Sequence, residues 1–409
     1  MNSTEIFTLA LGLKDPWEIT DIKITDNEGQ IKELHLEIGF KRGSKFKDSH
    51  DQLCPIHDTV KKKWRHMNFF EHSSFIHCKV PRIKTSDGKV RLIDVPWSRK
   101  NSGFTLLFEA LSMSLIESEM PINKIAKLLN ENAHRIWTIF NYWIKQAYAK
   151  DDPSQITKIG IDETSKRKGH DYITVAVDLD ERRVIHVVEG KNKQTVADIR
   201  DYLCDKQTSI KQIEQASIDL SPAFISGISE YFPNASITFD RFHVVKLLNK
   251  AMDEVRKLER KEHDRLKGHK YTFLKNKENL SETKQSELAE LIKLYPVLGE
   301  AYRLKELFND LWDMPDKKSA TLFINQWFEE VEQSHIPPFM KFARTVKAHL
   351  SGIINFVETH ITNAILESVN NKIQMAKRRA RGYRNLDNFI NMIYFLCGKL
   401  KFDYPLNSS

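Results

Sequence analysis

Three short stretches of the chain each place an acidic residue where a metal-dependent nuclease needs one. Two are apolar, β-branched runs that lead to Asp162 and Asp219, and the third is a helical stretch that carries Glu367. An aspartate at the end of a buried strand is held rigidly at a sheet edge, which suits a group that binds a divalent cation. Because Glu367 precedes the basic run Lys377-Arg378-Arg379-Ala380-Arg381, the pattern predicts phosphodiester chemistry.

The chemistry of these carboxylates predicts two Mg²⁺ (or Mn²⁺) ions shared by Asp162, Asp219 and Glu367. Mg²⁺ prefers anionic oxygen, and two ions about 3.5–4 Å apart activate a water or a 3′-hydroxyl and stabilise the leaving oxygen. Asp240 and His243 are candidate auxiliary residues, although either could serve structure alone. The structural alternatives for the three acids are a turn cap, a helix N-cap and a surface charge, respectively.

Basic residues are clustered rather than spread along the chain. The 63 basic and 55 acidic residues give a formal charge of +8, a modest excess, but residues 371–385 contain six basic residues and no acidic one. Clustered positive charge is typical of a polyanion binder, and the alternative is a solvated helix face. The predicted phosphate-contacting residues are Lys61, Lys62, Lys63, Arg65, Lys372, Lys377, Arg378, Arg379, Arg381 and Arg384.

Length and composition limit the class of protein. A chain of 409 residues is too long for one core, so two to four domains are expected. No apolar run approaches the roughly 18 residues of a membrane span, and the N-terminus lacks a signal-peptide pattern. Four scattered cysteines without a CxxC pair favour a reducing compartment. We therefore expect a soluble cytoplasmic protein without a membrane partner.

The elements that must position these residues change in character along the chain. Period-two alternation predicts strands at 33–40, 74–80 and 90–95. From residue 104 the period becomes helical, and two helices separated by Asn130-Glu131-Asn132 predict a helix-turn-helix, a pattern that any helical hairpin shares. His134, Arg135 and Thr138, on its second helix, are the candidate base contacts.

Residues 156–242 alternate strand and helix, which predicts an α/β layer. Strands are expected at 157–162, 172–178, 183–189, 214–219 and 236–240, the first three as a meander, with helices at 194–203 and 222–231. The following block to about residue 356 is helical and charge-rich, with a long exposed helix expected over 254–270. A last helix, over 363–379, carries Glu367.

With these motifs in place, the chain resembles bacterial insertion-sequence transposases of the ISL-three (ISL3) family, DDE enzymes with an RNase H-like catalytic domain. The matching segments are Ile159-Gly160-Ile161-Asp162-Glu163, Arg167-Lys168-Gly169-His170, Asp219-Leu220-Ser221-Pro222, Phe239-Asp240-Arg241-Phe242-His243, Thr362-Asn363 through Arg384, and N-terminal motifs such as Val95-Pro96-Trp97. The resemblance implies that Asp162, Asp219 and Glu367 form the catalytic triad.

The resemblance also implies the architecture. The expected fold is α/β, an RNase H-like core interrupted by an all-α insertion and preceded by a β-rich, degenerate zinc-ribbon-like domain and a helix-turn-helix. The expected boundaries are 1–100 for the β-rich domain, 101–150 for the helix-turn-helix, 155–245 for the first part of the core, 246–355 for the insertion, and 356–402 for the second part.

The N-terminal domain departs from the family's zinc ribbon. The metal-ligand positions of the two knuckles fall on Lys47 and His50 and on Thr85 and Gly88, which do not supply four nitrogen or sulfur ligands. A structural zinc ion is therefore not expected. An alternative site remains open, built from the nearby Cys54, His57, His66, His72, His77 and Cys78.

The expected function is a transposase that binds the terminal inverted repeats of its element as double-stranded DNA, cleaves a strand, and joins the freed 3′-hydroxyl to target DNA. A homodimer on DNA and an association with the bacterial nucleoid follow from that expectation. The first alternative is an inactive transposase relic that acts as a repressor. A second, an actin-like phosphotransferase, is disfavoured because Glu163 stands where its phosphate loop needs glycine.

Overall fold

The computed structural model describes residues 3–25, 33–48, 50–167, 171–359 and 364–404. The chain divides into two compact units. Unit 1 comprises Met1–Lys150, Asn385–Asn391 and Leu400–Ser409, and unit 2 comprises Asp151–Arg384 and Met392–Lys399. Segments 168–170 and 362–363, which contribute to the resemblance, lie outside the described residues.

Unit 1 is built on a mixed sheet. Its strands are β1 (Trp17–Thr25), β2 (Glu33–Phe40), β5 (Ile56–Phe69), β6 (His72–Lys84) and β7 (Val90–Leu92), and β3 (Phe46–Lys47) and β4 (Leu53–Cys54) form a separate hairpin. The order is β1-β2-β6-β5 with β7 beside β6, and the β2–β6 pair is parallel. Helix α1 (Ser3–Ala10) packs on β1. The predicted strands at 33–40 and 74–80 are confirmed, but β1 and β5 are additional.

The core of unit 1 follows from the period-two alternation of β2 and β6. Leu34, Leu36 and Ile38 are buried on one face of β2, and Ile76 and Cys78 are buried on β6. Three buried tryptophans pack against one another in this core. The ring of Trp97 lies 5.0 Å from that of Trp17 and 5.6 Å from that of Trp64, both edge to face, a preferred geometry for aromatic pairs.

The predicted helix-turn-helix region is helical as expected, with α2 (Leu106–Glu117), α3 (Ile122–Leu128) and α4 (Ala133–Ala149) packed on one another. The side chain of Asn132 accepts a hydrogen bond from the His134 backbone and caps the start of α4. The fully buried carboxylate of Glu109 accepts hydrogen bonds at 2.9 Å from both Arg99 Nε and Trp143 Nε1. This buried network fixes α2 against α4.

The two segments aligned with zinc knuckles are tight turns closed by aspartates. Asp48 Oδ1 accepts hydrogen bonds from the backbone nitrogens of His50 at 2.8 Å and Gln52 at 3.0 Å, and these bonds hold the pKa of Asp48 below its usual value. Asp87 Oδ1 likewise accepts from the backbone nitrogen of Lys89 at 3.2 Å. Carboxylate hydrogen bonds therefore shape both turns, and the expectation of no structural zinc stays a prediction.

Arg65 is a correction to the predicted DNA-contacting set. Its side chain is 3% exposed, and its guanidinium donates to the carbonyls of Ser74 at 3.1 Å and Leu129 at 3.0 Å. Burial lowers its pKa. The strand β5 places Lys61, Lys62 and Lys63 at the surface but turns Arg65 under the α3–α4 loop, where it joins the sheet to the helices.

Replacing Arg65 with Met should therefore destabilise the protein, whereas replacing the exposed Lys62 with Met should not. The first change leaves two buried carbonyls without their charged donor, at a cost of roughly 3 kcal/mol in the free energy of unfolding. Urea unfolding of the two variants and the wild type measures this difference. Equal midpoints for the two variants would contradict the structural role of Arg65.

Unit 2 contains a second mixed sheet. Its strands are β8 (Lys158–Ser165), β9 (Tyr172–Asp178), β10 (Arg183–Glu189), β11 (Gln215–Ile218) and β12 (Ser236–Phe239), in the order β10-β9-β8-β11-β12. The first three strands form the predicted antiparallel meander, and β11 runs parallel to β8 and β12. One predicted boundary is wrong: β8 does not stop at Asp162 but continues to Ser165, because its pairing with β9 extends to Ser165 and Tyr172.

Helices cover this sheet. Helix α5 (Lys193–Asp205) packs on β10, and α6 (Pro222–Tyr231) packs on α5 and β11, close to the predicted bounds. Helix α13 (Leu350–Thr359) lies on β12, where Asn355 Nδ2 donates to the Ile237 carbonyl at 2.7 Å. Helices α14 (Ala364–Arg379) and α15 (Leu386–Cys397) follow α13 in the chain. Helix α14 matches the helix predicted to carry Glu367.

Between β12 and α13 the chain is helical, as expected. The helices are α7 (Arg241–Arg260), α8 (Lys270–Leu274), α9 (Glu282–Leu294), α10 (Pro296–Asn309), α11 (Lys317–Ser334) and α12 (Pro337–Ala348). The long helix predicted over 254–270 is wrong: α7 begins directly after Asp240 and ends at Arg260. Val244, Leu248 and Val255 give α7 a buried face, and that spacing stops before residue 260. None of the described helices combines the length and apolarity that crossing a bilayer requires.

Candidate active site

Three aspartates lie along the same edge of the unit 2 sheet. Ser217 of β11 pairs with Gly160 of β8 in parallel register, so Asp219 and Asp162 each stand two residues beyond the last pair. Ile218 pairs with Phe239, and therefore Asp219 and Asp240 each directly follow that pair. The register of three neighbouring strands brings the carboxylates to one edge, as the sequence predicted for Asp162 and Asp219.

Local hydrogen bonds hold the second and third aspartates in place. The backbone nitrogen of Ser221 donates to Asp219 Oδ1 at 3.0 Å. Asp240 is buried and caps α7, because its Oδ1 accepts from the Phe242 backbone nitrogen at 3.0 Å. His243 Nε2 lies 3.8 Å from Asp240 Oδ2. Asp240 is thus both a helix cap and a member of the acidic edge.

The pKa of Asp162 is raised at this edge. Burial, opposed by the Glu163 backbone hydrogen bond and the charge of His243 and aided by the charges of Asp219 and Asp240, raises the pKa of Asp162 from 3.8 to about 6. Oxygen-only donors that repel one another are what a hard divalent cation relieves. The chemistry of this donor set therefore fits Mg²⁺ or Mn²⁺.

Helix α14 lies along β8 in a regular register. Asn370 Nδ2 donates to Asp162 Oδ2 at 2.6 Å, and Gln374 Nε2 donates to Thr164 Oγ1 at 2.8 Å. A Cβ added at Gly160 would lie 3.1 Å from Leu366 Cδ1 and 2.8 Å from Leu179 Cδ2. Gly160 therefore permits the close approach that brings α14 to Asp162.

Asn370 and Gln374 line the candidate site, and the sequence prediction missed them. The signal was present, because Leu366, Asn370 and Gln374 recur every four residues and share one helix face. Without knowing that this face meets β8, the polar residues on it could not be distinguished from solvent-exposed ones.

Glu367 lies in the first turn of α14 and is exposed. It precedes Asn370 by three residues, a step of about 4.5 Å along the helix axis. Within the part of the chain that the structure describes, no three Asp, Glu, His or Cys side chains converge tightly enough to hold a metal ion. The structure therefore brings Asp162, Asp219, Asp240 and His243 to one edge but does not gather Glu367 with them into a ligand set.

The predicted basic residues of the C-terminal cluster divide by role. Lys377 is half-buried and donates to the Ser165 carbonyl at 2.6 Å, and burial lowers its pKa, so this lysine anchors α14 to β8. The remaining members are exposed: Lys372, Arg378, Arg379, Arg381 and Arg384.

The predicted DNA-reading residues of unit 1 are at the surface. His134, Arg135 and Thr138 are exposed in the first turns of α4. Arg135 pairs with Glu131 at 2.8 Å, and its guanidinium lies 4.2 Å from the centre of the Phe104 ring. On β5, Lys63 Nζ lies 3.7 Å from the centre of the Phe75 ring. These contacts orient the cations without burying them.

Comparison with known proteins identifies the family of this chain. A family model described as a transposase, the DDE domain of the ISL3 family, matches residues 159–393, more than half of the chain and the whole acidic edge. The chain belongs to the ISL3 family of transposases. A second model, the helix-turn-helix domain of transposase family ISL3, matches residues 93–144, which include α2, α3 and most of α4.

Two similar proteins are transposases of named insertion sequences. The transposase for insertion sequence element IS1001 of Bordetella parapertussis is 27% identical over 343 residues, covering 82% of this chain and 84% of that protein. The transposase for insertion sequence element IS1557 of Mycobacterium tuberculosis is 25% identical over 354 residues, covering 79% of each. Membership in this family implies a DNA transposition activity, so the acidic edge is the candidate active site of an ISL3 transposase.

The raised pKa of Asp162 predicts a pH dependence of stability in chelator. The folded protein keeps the proton to pH about 6, whereas the unfolded chain releases it near 3.8. Relative to Asp162→Asn, the wild type should therefore lose stability as the pH rises from about 4 to 6, by up to about 3 kcal/mol. Urea unfolding in EDTA across this range measures the effect, and parallel curves for the two proteins would contradict the burial of this charge.

Proposed function

We propose that this transposase binds the terminal inverted repeats of its insertion sequence and catalyses Mg²⁺-dependent strand cleavage and strand transfer at Asp162, Asp219 and Glu367. The observation that carries the proposal is the parallel register of β8 and β11, with Asp162 and Asp219 on the same edge. The strand order β10-β9-β8-β11-β12 and the helices around it support an RNase H-like core, with the α7–α12 block as its insertion.

In this proposal Asp162 and Asp219 hold the ions and Glu367 completes the ligand set. When bound, the ions lower the pKa of the attacking water or hydroxyl and stabilise charge on the leaving oxygen. Glu367 is exposed and stands one helical turn before Asn370, which contacts Asp162, so rotation of its side chain carries the carboxylate toward the aspartates. Asn370 orients the Asp162 carboxylate by donating to Oδ2, which leaves its other lone pairs for a cation.

The chemistry consists of two in-line displacements at phosphorus. In cleavage, a water oxygen bonds to phosphorus and the bond to the 3′-oxygen breaks, which leaves a 3′-hydroxyl and a 5′-phosphate. In transfer, that 3′-hydroxyl bonds to a target phosphorus, and the target 3′-oxygen leaves with a proton from solvent. Within the acidic edge the charge of Asp240 raises the pKa of Asp162, and the charge of the neighbouring His243 lowers it.

DNA binding is assigned to both units by their exposed cations. Lys61, Lys62 and Lys63 are proposed phosphate contacts, as are Lys372, Arg378, Arg379, Arg381 and Arg384, which give affinity and register rather than sequence choice. His134, Arg135 and Thr138 are proposed to reach base edges from α4. Two element ends must be brought together in transposition, so we propose a homodimer on DNA.

The decisive test is Asp219→Asn. This variant should lose strand cleavage of labelled inverted-repeat DNA in Mg²⁺ by at least about a thousandfold and keep its affinity for that DNA in EDTA. The amide keeps the shape of the side chain but removes the anionic oxygen that a divalent cation needs. Asp205→Asn, an exposed aspartate at the end of α5, is the matched control and should cleave like the wild type.

The same assay separates this proposal from the alternative of an inactive, transposase-derived DNA-binding protein. A wild-type protein that binds the repeat but does not cut it in Mg²⁺ or Mn²⁺ would favour the repressor function. An Asp219→Asn variant that still cuts would refute the catalytic assignment.

A second test addresses sequence reading. Arg135→Ala should weaken binding to the inverted repeat by roughly tenfold and leave binding to unrelated duplex almost unchanged, because a base contact carries about 1–3 kcal/mol of discrimination. Lys62→Ala should weaken binding to both DNAs by a similar factor. Competition binding at fixed salt measures both. A uniform loss with Arg135→Ala would reassign this residue to the phosphate backbone.

A further inference from the structure

A basic groove lies in unit 2 beside α14, distinct from the acidic edge. It encloses about 590 Å³, within the range of ligand sites, and is lined by the start of β8, the β9–β10 turn, one face of α14 and the residues around the end of α15. Four of its lining residues are basic, Lys158, Arg182, Lys372 and Lys399, and one is acidic, Asp180. We call this site the β8–α14 groove.

The charges of the β8–α14 groove are only partly neutralised. Asp180 is committed to Lys158, at 3.1 Å, and Lys399 Nζ donates to the Glu181 carbonyl at 2.6 Å. Among the residues that the structure describes, neither Arg182 nor Lys372 makes an ion pair or a side-chain hydrogen bond, and both are exposed. Two unpaired cations at the rim of one concave site indicate an anionic ligand.

The floor of the groove is apolar. Leu179, Val369 and Leu396 line it, and Leu179 and Val369 are buried. A ligand that fits must therefore present anionic oxygen at the rim and hydrocarbon toward the floor. A nucleotide unit has this composition, because its phosphate is charged and its deoxyribose carbons are not.

We propose that the β8–α14 groove seats the phosphate backbone of the same DNA strand that the acidic edge cleaves, with Arg182 and Lys372 on the phosphates. This assignment rests on the proposed function, and it extends that function to a second, non-catalytic contact on the strand. Strong phosphate contacts of this kind fix register without reading sequence.

The position of the groove sets which nucleotide it holds. Lys158 opens β8 and Asp162 lies four residues further along it, a separation of about 13 Å at about 3.3 Å per residue. Duplex DNA advances about 3.4 Å per nucleotide on each strand. Because a strand winds around the duplex axis, the phosphate in the groove therefore belongs to a nucleotide within about four steps of the scissile bond.

The affinity test uses the full chain in EDTA, where no cleavage occurs, with a labelled duplex of the element end. The double variant Arg182→Gln, Lys372→Gln loses two phosphate contacts, so the slope of log affinity against log salt should fall by about 1.8. Between 50 and 200 mM salt its affinity should thus drop about tenfold less than that of the wild type. The matched control, Lys318→Gln with Lys341→Gln, removes two exposed lysines of the insertion and should keep the wild-type slope.

Cross-linking tests which nucleotide lies in the groove. Ser368→Cys places an exposed thiol in the groove, in a background with Cys204→Ser and Cys397→Ala, which removes the exposed cysteine and the buried cysteine that already lines the groove. Duplexes that carry a thiol-reactive tether at successive phosphates should cross-link most strongly at one position within about four nucleotides of the cleavage point. Thermal unfolding of each variant without DNA verifies that the fold is kept.

An unchanged salt slope, or cross-linking spread evenly along the duplex, would overturn the proposal. Thermal stabilisation of the wild type by dTMP that the double variant loses, together with an unchanged slope, would instead assign the groove to a free nucleotide and also overturn it. Because these experiments need no catalysis, a reduced slope stands even if Asp219→Asn still cleaves DNA. In that case the catalytic assignment would be refuted, but the assignment of the groove as a site for the phosphate backbone would stand.

Discussion

The packing of α14 against β8 is the contact on which the candidate active site depends. Four helix residues advance about 6.0 Å and two strand residues about 6.6 Å, so the two elements stay in step. Leu366, Asn370 and Gln374 therefore meet Gly160, Asp162 and Thr164 in turn. This matched spacing of helix and strand also determines where Glu367 and the basic end of α14 lie relative to the acidic edge. Gly160 suits this contact because a Cβ there would lie 2.8 Å from Leu179 Cδ2 and 3.1 Å from Leu366 Cδ1, so both leucine side chains would have to shift.

The acidic edge is a set of aspartates that the register of three neighbouring strands brings to one edge of the sheet. Asp219 and Asp240 are each bound by a backbone nitrogen of their own turn, so they cannot move apart without breaking local structure. Asp162 lies between the sheet and α14, where burial and its neighbours raise its pKa to about 6. Such a site is costly for an empty protein and favourable for one that binds cations, which is consistent with a transposase whose chemistry occurs at phosphodiesters.

In unit 1, the fold separates the residues of one basic run into exposed and buried positions. In the sequence, Lys61, Lys62, Lys63 and Arg65 form one basic run. In the fold, the lysines remain at the surface while Arg65 is buried beneath the helix-turn-helix and bonds to its carbonyls. The buried carboxylate of Glu109, on α2, likewise accepts a hydrogen bond from Trp143 of α4. Charge in this unit thus serves both the proposed DNA contact and the rigidity of the element that presents it.

The sequence alone determined the strands of the unit 2 sheet and singled out Asp162 and Asp219 as candidates, because β-branched runs that lead to an acid carry their signal locally. It also indicated the helix-turn-helix and the helix that carries Glu367 through their 3.6-residue period. It did not determine which face of α14 meets β8, that Arg65 is buried, that α7 begins directly at Asp240, or that Asp240 joins the acidic edge. Those outcomes depend on contacts between residues far apart in the chain, such as Asn370 with Asp162 and Arg65 with Leu129. Only the tertiary structure decides them, because local periodicity records which side of an element is buried but not which partner covers it.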